Sequence, residues 1–150
     1  MDNFDLERFV RAQDGVYARV IDELSAGRKQ SHWMWFIFPQ IAGLGFSPMA
    51  RRYAIQSPAE ARAYLAHDVL GQRLIDCTRL VVAIRQRSIT DILGQPDDIK
   101  FKSSMTLFHA VSRRPVFADA IARFFPEGPD SRTLEILKSV DRSHADDDGT

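Results

Sequence analysis

Six consecutive apolar residues, Trp33 to Phe38, run straight into Pro39 and carry both tryptophans of the chain. The surrounding stretch, GRKQSHWMWFIFPQ at 27–40, holds four of the fifteen aromatic residues directly behind Lys29, Ser31 and His32. Large aromatics bury roughly 150–250 Å² each, so Trp33, Trp35, Phe36 and Phe38 together can hide about 600–1,000 Å². At about 25 cal/mol per Å² this is on the order of 15–25 kcal/mol of gross transfer free energy before entropy is subtracted. Such a segment must be core, pocket wall or partner interface. Six apolar residues in a row fit a buried strand or a short helix; the helix is preferred, capped by Ser31 and stopped by Pro39, because no other segment reads as a strand.

The rest of the chain has a helical period. Leu6, Phe9, Val10, Val16, Tyr17, Val20, Ile21 and Leu24 recur at spacings of three and four, which predicts one helix over 4–25, capped by Asp2 or Asn3 and closed by Gly27. Ser47-Pro48 and Ser57-Pro58 each place a hydroxyl before a proline at the first helical position, predicting helices near 48–55 and 58–66. Glu60, three residues after Ser57, adds a capping box. Further helices are predicted over about 69–87, 97–112, 115–125 and 131–140, with one turn opened by Ser88 and Asp91 and closed by Gly94. The expectation is a single all-α domain over residues 1–140, of seven to nine mostly short helices. An acidic, disordered tail over 141–150 would follow.

Charge is balanced, twenty basic against twenty acidic residues. The last ten residues carry −3 and residues 1–140 carry +3, too mild on average to argue for nucleic acid. No apolar run approaches the roughly 20 residues of a membrane span, and the acidic start MDNFDLERF lacks a signal-peptide core. The lone Cys77 excludes an internal disulfide and suits a reducing compartment. A cytoplasmic protein is expected.

Two clusters are candidates for chemistry. Lys29, Ser31 and His32 stand at a predicted helix start, where a cation, a hydroxyl and free N–H groups favour an anion, and Trp33 or Trp35 offers a stacking wall. His32 is the candidate catalytic group, since a histidine exchanges a proton near neutrality. In DDIKFKSSMTLFHA, 97–110, helical spacing places Lys100, Ser103, Ser104 and Leu107 on one face, a polar floor to a cavity, with Asp97 one turn earlier. The plainer reading gives these residues capping and carbonyl-bonding duties only. His32, His67, His109 and His144 lack ligand spacing, so no metal is expected, and no GxSxG elbow, Walker loop or GxGxxG is present.

With RFVRAQ at 8–13, GRKQSHWMWFIFPQ at 27–40, GLGFSPMARRYAI at 43–55, EARAYLAHDVLGQRL at 60–74 and KFKSSMTLF at 100–108, the chain resembles the domain-of-unknown-function family 1810. These are small bacterial and fungal proteins, some loosely labelled calpastatin. The resemblance covers most of residues 4–138 and implies an all-helical single-domain fold. It carries no catalytic residue, substrate or cofactor across to this chain, and the calpastatin label finds no disordered, repetitive inhibitor composition here.

Three functional expectations remain. The first is a pocket for an anionic, nucleotide-like small molecule, with or without catalysis, using Lys29, Ser31, His32, Trp33, Trp35, Lys100, Ser103 and Ser104. The second is a protein–protein module, monomeric or homodimeric, built on the aromatic segment or on Phe117–Phe125. The third, and weakest, is nucleic-acid binding through the pairs Arg28-Lys29, Arg51-Arg52 and Arg113-Arg114.

Overall fold

The computed structural model describes residues 4–148, with side chains described for 4–140. Among them are ten helices: α1 (Glu7–Asp14), α2 (Tyr17–Ser25), α3 (Met34–Ile37), α4 (Pro48–Arg52), α5 (Pro58–Ala66), α6 (Leu70–Ala83), α7 (Ile89–Leu93), α8 (Asp97–Ser112), α9 (Pro115–Phe124) and α10 (Ser131–Asp148). The all-α expectation holds; the only β pairing among the described residues is an isolated parallel bridge between Ile41 and Ile55. Of the tail read at 141–150, the backbone of 141–148 continues α10 and residues 149 and 150 lie outside the described residues, as do Asp2 and Asn3.

Several boundaries differ from expectation: α6 ends at Ala83 rather than near 87 and α10 runs past 140 to Asp148, and three others differ for identifiable reasons. The single helix read over 4–25 is two, because the chain turns at Gly15 and Val16, where Val16 leaves helical geometry at φ −130°. The first helix starts at Glu7 after Asp5, which takes a positive φ of 52°. Helix α4 ends at Arg52 rather than near residue 55 because Tyr53–Ile55 straightens to pair with the chain after Pro39: Ala42 N donates to Ile55 O and Ile55 N to Gln40 O, both at 2.8 Å. That pairing spans the loop between, and helical periodicity carries no trace of it.

Helix α8 is the axis of the molecule. Phe101, Met105, Leu107 and Phe108 are fully buried along it, and it contacts α5, α7, α9 and α10. A helix whose middle, from Phe101 to Phe108, is buried on nearly every side belongs at the centre of a bundle. Helix α6 packs beside it against α2, α3, α5 and α9. The aromatic segment closes the core between them: Phe38 meets Phe101 edge-to-face at 4.9 Å between centroids, and Phe36 meets Tyr53 at 5.4 Å.

The polar residues of RFVRAQ tie this core to the chain around it. Buried Gln13 donates to Phe36 O at 2.7 Å and to the Tyr64 hydroxyl at 3.0 Å, fixing α3 against α1 and α5. Arg8 donates to the carbonyls of Arg52 and Ala54 and pairs with the Glu60 carboxylate at 2.9 Å. Glu60 therefore does only half of what a capping box does. Its N–H is held by the Ser57 hydroxyl, but its carboxylate takes the Gln56 N–H and Arg8 instead of closing back on Ser57. The full box is at Ser88 and Asp91.

Candidate functional site

The loop that carries Lys29, Ser31 and His32 is built by one acid. Gly27, at φ 78°, ends α2 with Gly27 N bonded to Leu24 O and Arg28 N to Glu23 O, the paired bonds of a Schellman turn. The side chain of the same Glu23 then collects the loop. Its carboxylate accepts from Gln30 N at 2.7 Å, Ser31 N at 2.9 Å, the Ser31 hydroxyl at 2.6 Å and the Trp33 indole N–H at 3.0 Å. Burial alone would raise this carboxyl. The hydrogen bonds from Ser31, Gln30 and Trp33 outweigh burial and hold it at about 2.

This anchoring alters two expectations. Ser31 does not cap α3; its hydroxyl is committed to Glu23, and α3 begins at Met34 with no side-chain cap. Trp33 is not a stacking wall: it is 1% exposed and belongs to the core.

Opposite this loop stands the first turn of α8. Lys29 N donates to Ile92 O at 2.7 Å, docking the loop on the end of α7. The Lys29 ammonium then reaches Asp97 Oδ2 at 2.9 Å, and Lys100 stands 3.7 Å from Asp97 Oδ1. Between loop and helix lies a cleft of about 280 Å³ lined by Lys29, His32, Met34, Trp35, Gln95, Pro96, Asp97 and Lys100. Lys29, His32, Trp35 and Lys100, chosen from two segments far apart in sequence, share this one concavity.

Two ammonium groups against one carboxylate leave the cleft with an excess of one positive charge when His32 is neutral. Each ammonium also lies near an indole face, Lys29 5.1 Å from the Trp33 centroid and Lys100 5.5 Å from that of Trp35. These contacts hold the lysines in place as cations. They also use part of the Trp35 face that a ring would stack on.

The polar floor read on α8 divides. Lys100 lines the cleft, but Ser103 turns to Ile99 O and the Asp130 carboxylate, and the Ser104 hydroxyl is fully buried without a partner. Neither serine lines the cleft. Asp97, noted in sequence only as a neighbour of that face, proves to be the group that joins the two lysines. Glu23 was missed altogether. Its signal was its position beside Val20 and Leu24 on the buried stripe of α2, where an unpaired carboxylate would be costly.

Among the described residues no group of three or more His, Cys, Asp or Glu side chains is placed to hold a metal ion, and no helix is long and apolar enough to cross a membrane.

No curated protein matches the chain. It is similar to the conserved hypothetical protein Rv1873 from Mycobacterium tuberculosis, whose crystal structure superposes with a TM-score of 0.90. The two are 53% identical over 91% of this chain and 99% of that one. The profile of a protein family of unknown function, DUF1810, matches residues 3–137, and the chain belongs to that family.

Proposed function

We propose that the cleft between the 29–35 loop and the start of α8 binds a small anionic molecule, with a phosphate or carboxylate held by Lys29 and Lys100. The observation that carries this reading is the convergence of Lys29, His32, Trp35 and Lys100 on one concavity with a surplus of positive charge. At about 280 Å³ the cleft lies at the lower edge of the roughly 300–1,000 Å³ of common ligand pockets. It therefore suits a compact anion, or the charged end of a nucleotide whose base lies outside. An incoming anion competes with Asp97 for the two ammonium groups. His32 faces the same space and is the residue placed to exchange a proton with such a ligand, so any catalysis would run through it. The protein-module reading has less support, because the aromatic segment is spent on the core: of Trp33–Phe38, only Trp35 is not buried.

The test is a thermal-shift screen against inorganic phosphate, nucleotides, sugar phosphates and small organic acids, repeated on Lys29→Ala and His32→Ala. A ligand at 100 times its Kd adds about 2.7 kcal/mol, or roughly 5–11 °C for a domain of this size. A shift lost in both variants supports the reading. Silence across the library, with both variants folded, overturns it.

A further inference from the structure

In a series of adjoining clefts that share no residue with the Lys29 cleft, six of the sixteen arginines of this charge-balanced chain come together. A cleft of about 550 Å³ between α6 and α9 is lined by Arg79, Arg85 and Arg114 over an apolar floor that includes Ile75, Val82 and Val116. Arg114 also lines a neighbouring cleft with Arg62. In the other direction Ala83 joins the first cleft to a third, and Arg87 joins that to a fourth, which Arg123 and Phe124 line. Along the whole series Asp119 is the one acidic residue, and no lysine appears.

These six guanidinium groups are not structural pairs. Among the described residues, salt bridges involve Arg8, Arg11, Lys29, Arg73, Lys100 and Lys102, and none of the six. Arg123 bonds the carbonyl of Ile84 yet leaves a buried Nε–H without an acceptor. Six arginines to one acid, in a chain with equal numbers of each sign, is a strong local bias. Like charges along a groove raise its potential and attract an extended polyanion.

We propose that this arginine track binds the sugar–phosphate backbone of single-stranded nucleic acid. Arginine is the residue for such a task, since its planar fork pairs bidentately with phosphate and stacks on bases, whereas a lysine offers a point charge. Consecutive clefts accommodate successive nucleotides of an unpaired strand, and half-buried Phe124, packed on Phe101 and Phe125, offers its open edge to a base at one end. A stiff duplex cannot follow several small clefts in turn. The residues differ from the arginine pairs that the sequence suggested; of those pairs, only Arg114 is on the track.

The test is fluorescence anisotropy of a labelled 15-nucleotide single strand titrated with the full chain from about 50 to 200 mM salt. Binding to the wild type is expected, weakening steeply with salt. The triple variant Arg79→Ala, Arg85→Ala, Arg114→Ala should bind at least tenfold more weakly at 50 mM. Its log–log salt slope should be shallower by about 2, at roughly 0.7 per lost phosphate contact on a single strand. Lys29→Ala should bind as the wild type does, which separates this surface from the anion cleft. If the triple variant unfolds, Arg85→Ala alone, an exposed residue beyond the end of α6, carries the test with a slope change near 0.7. No binding at 50 mM salt, equal binding by the arginine variant, or equal affinity for a poly-glutamate chain of the same charge each overturns the proposal; the last would assign the track to an acidic protein segment.

Discussion

The Lys29 ammonium meets the Asp97 carboxylate at 2.9 Å, joining the loop after α2 to the first turn of α8 across the cleft. The lysine side chain is 9% exposed and the aspartate 17%, so the pair is well shielded. Asp97→Asn should therefore cost about 1–2 kcal/mol of stability, because it leaves a shielded ammonium without its counter-charge. The same change removes the internal competitor for both lysines. Inorganic phosphate, followed by calorimetry, should bind the variant several-fold more tightly than the wild type. Weaker binding would mean that Asp97 contacts the ligand rather than displacing it.

Glu23 should behave as the organiser of the candidate site without touching any ligand. Hydrogen bonds to a charged group contribute roughly 1.5–3 kcal/mol each but are not additive in a cluster. Glu23→Ala, which leaves the Trp33 indole N–H and two backbone N–H groups unpaired, should lose about 3 kcal/mol in urea unfolding. Ser31→Ala, which removes one donor from the same carboxylate, should lose about 1 kcal/mol.

The pH dependence follows from the same carboxyl. Its folded value of about 2 lies below the 4.5 of an ordinary glutamate, so its stabilisation is complete above pH 4.5 and is lost as pH falls from 4.5 towards 2. The shift corresponds to at most about 3.5 kcal/mol, and screening reduces it to roughly 1–2. Melting curves for wild type and Glu23→Gln should differ most near neutrality and converge in acid. A constant difference across that window would assign the acid sensitivity to other groups.

Two glycines should respond oppositely to alanine. At Gly71 a β-carbon would lie 2.0 Å from the backbone oxygen of Leu65, where α5 turns into α6, and the obstruction is main chain. Gly71→Ala should cost about 3 kcal/mol or prevent folding. Gly15 has φ −80° and nothing within 4 Å of a β-carbon, so Gly15→Ala should be neutral or gain up to about 1 kcal/mol. Paired denaturant curves decide both.

Cys77 should be inert in the folded protein. Burial pushes its thiol up to about 12, only partly opposed by the neighbouring Tyr17 hydroxyl. An aromatic disulfide reagent at pH 8 should react at the rate of global unfolding and reach completion only in denaturant. Rapid native labelling would show that the α2–α6 contact opens locally.

Helix identity was legible because it rests on local rules. Serine before proline at 47–48 and 57–58, and Ser88 with Asp91 before Gly94, mark three starts that the structure keeps. The break at Gly15 was not legible, since the apolar stripe on either side of it keeps its spacing. The early end of α4 depends on Ile55 finding Gln40, and that is a tertiary event. In the candidate site, Lys29, His32, Trp35 and Lys100 were legible as residue types that gather around anions. Ser31 and Trp33 were misassigned because Glu23, eight and ten residues earlier, claims both. Ser103 went to Asp130, a partner twenty-seven residues away.

The parallel bridge at Ile41 and Ile55 has one more consequence. Its two main-chain bonds, with core-packed Tyr53, close the neck of an excursion from residue 43 to 52, whose middle carries exposed Phe46 and Met49 and whose end is held by Arg8. A segment secured at its base can detach as one cooperative unit while the helices beneath stay folded. Its amides would then trade hydrogen for deuterium together and ahead of α8, and the first proteolytic nick in the native protein would fall within this excursion rather than at a helix end.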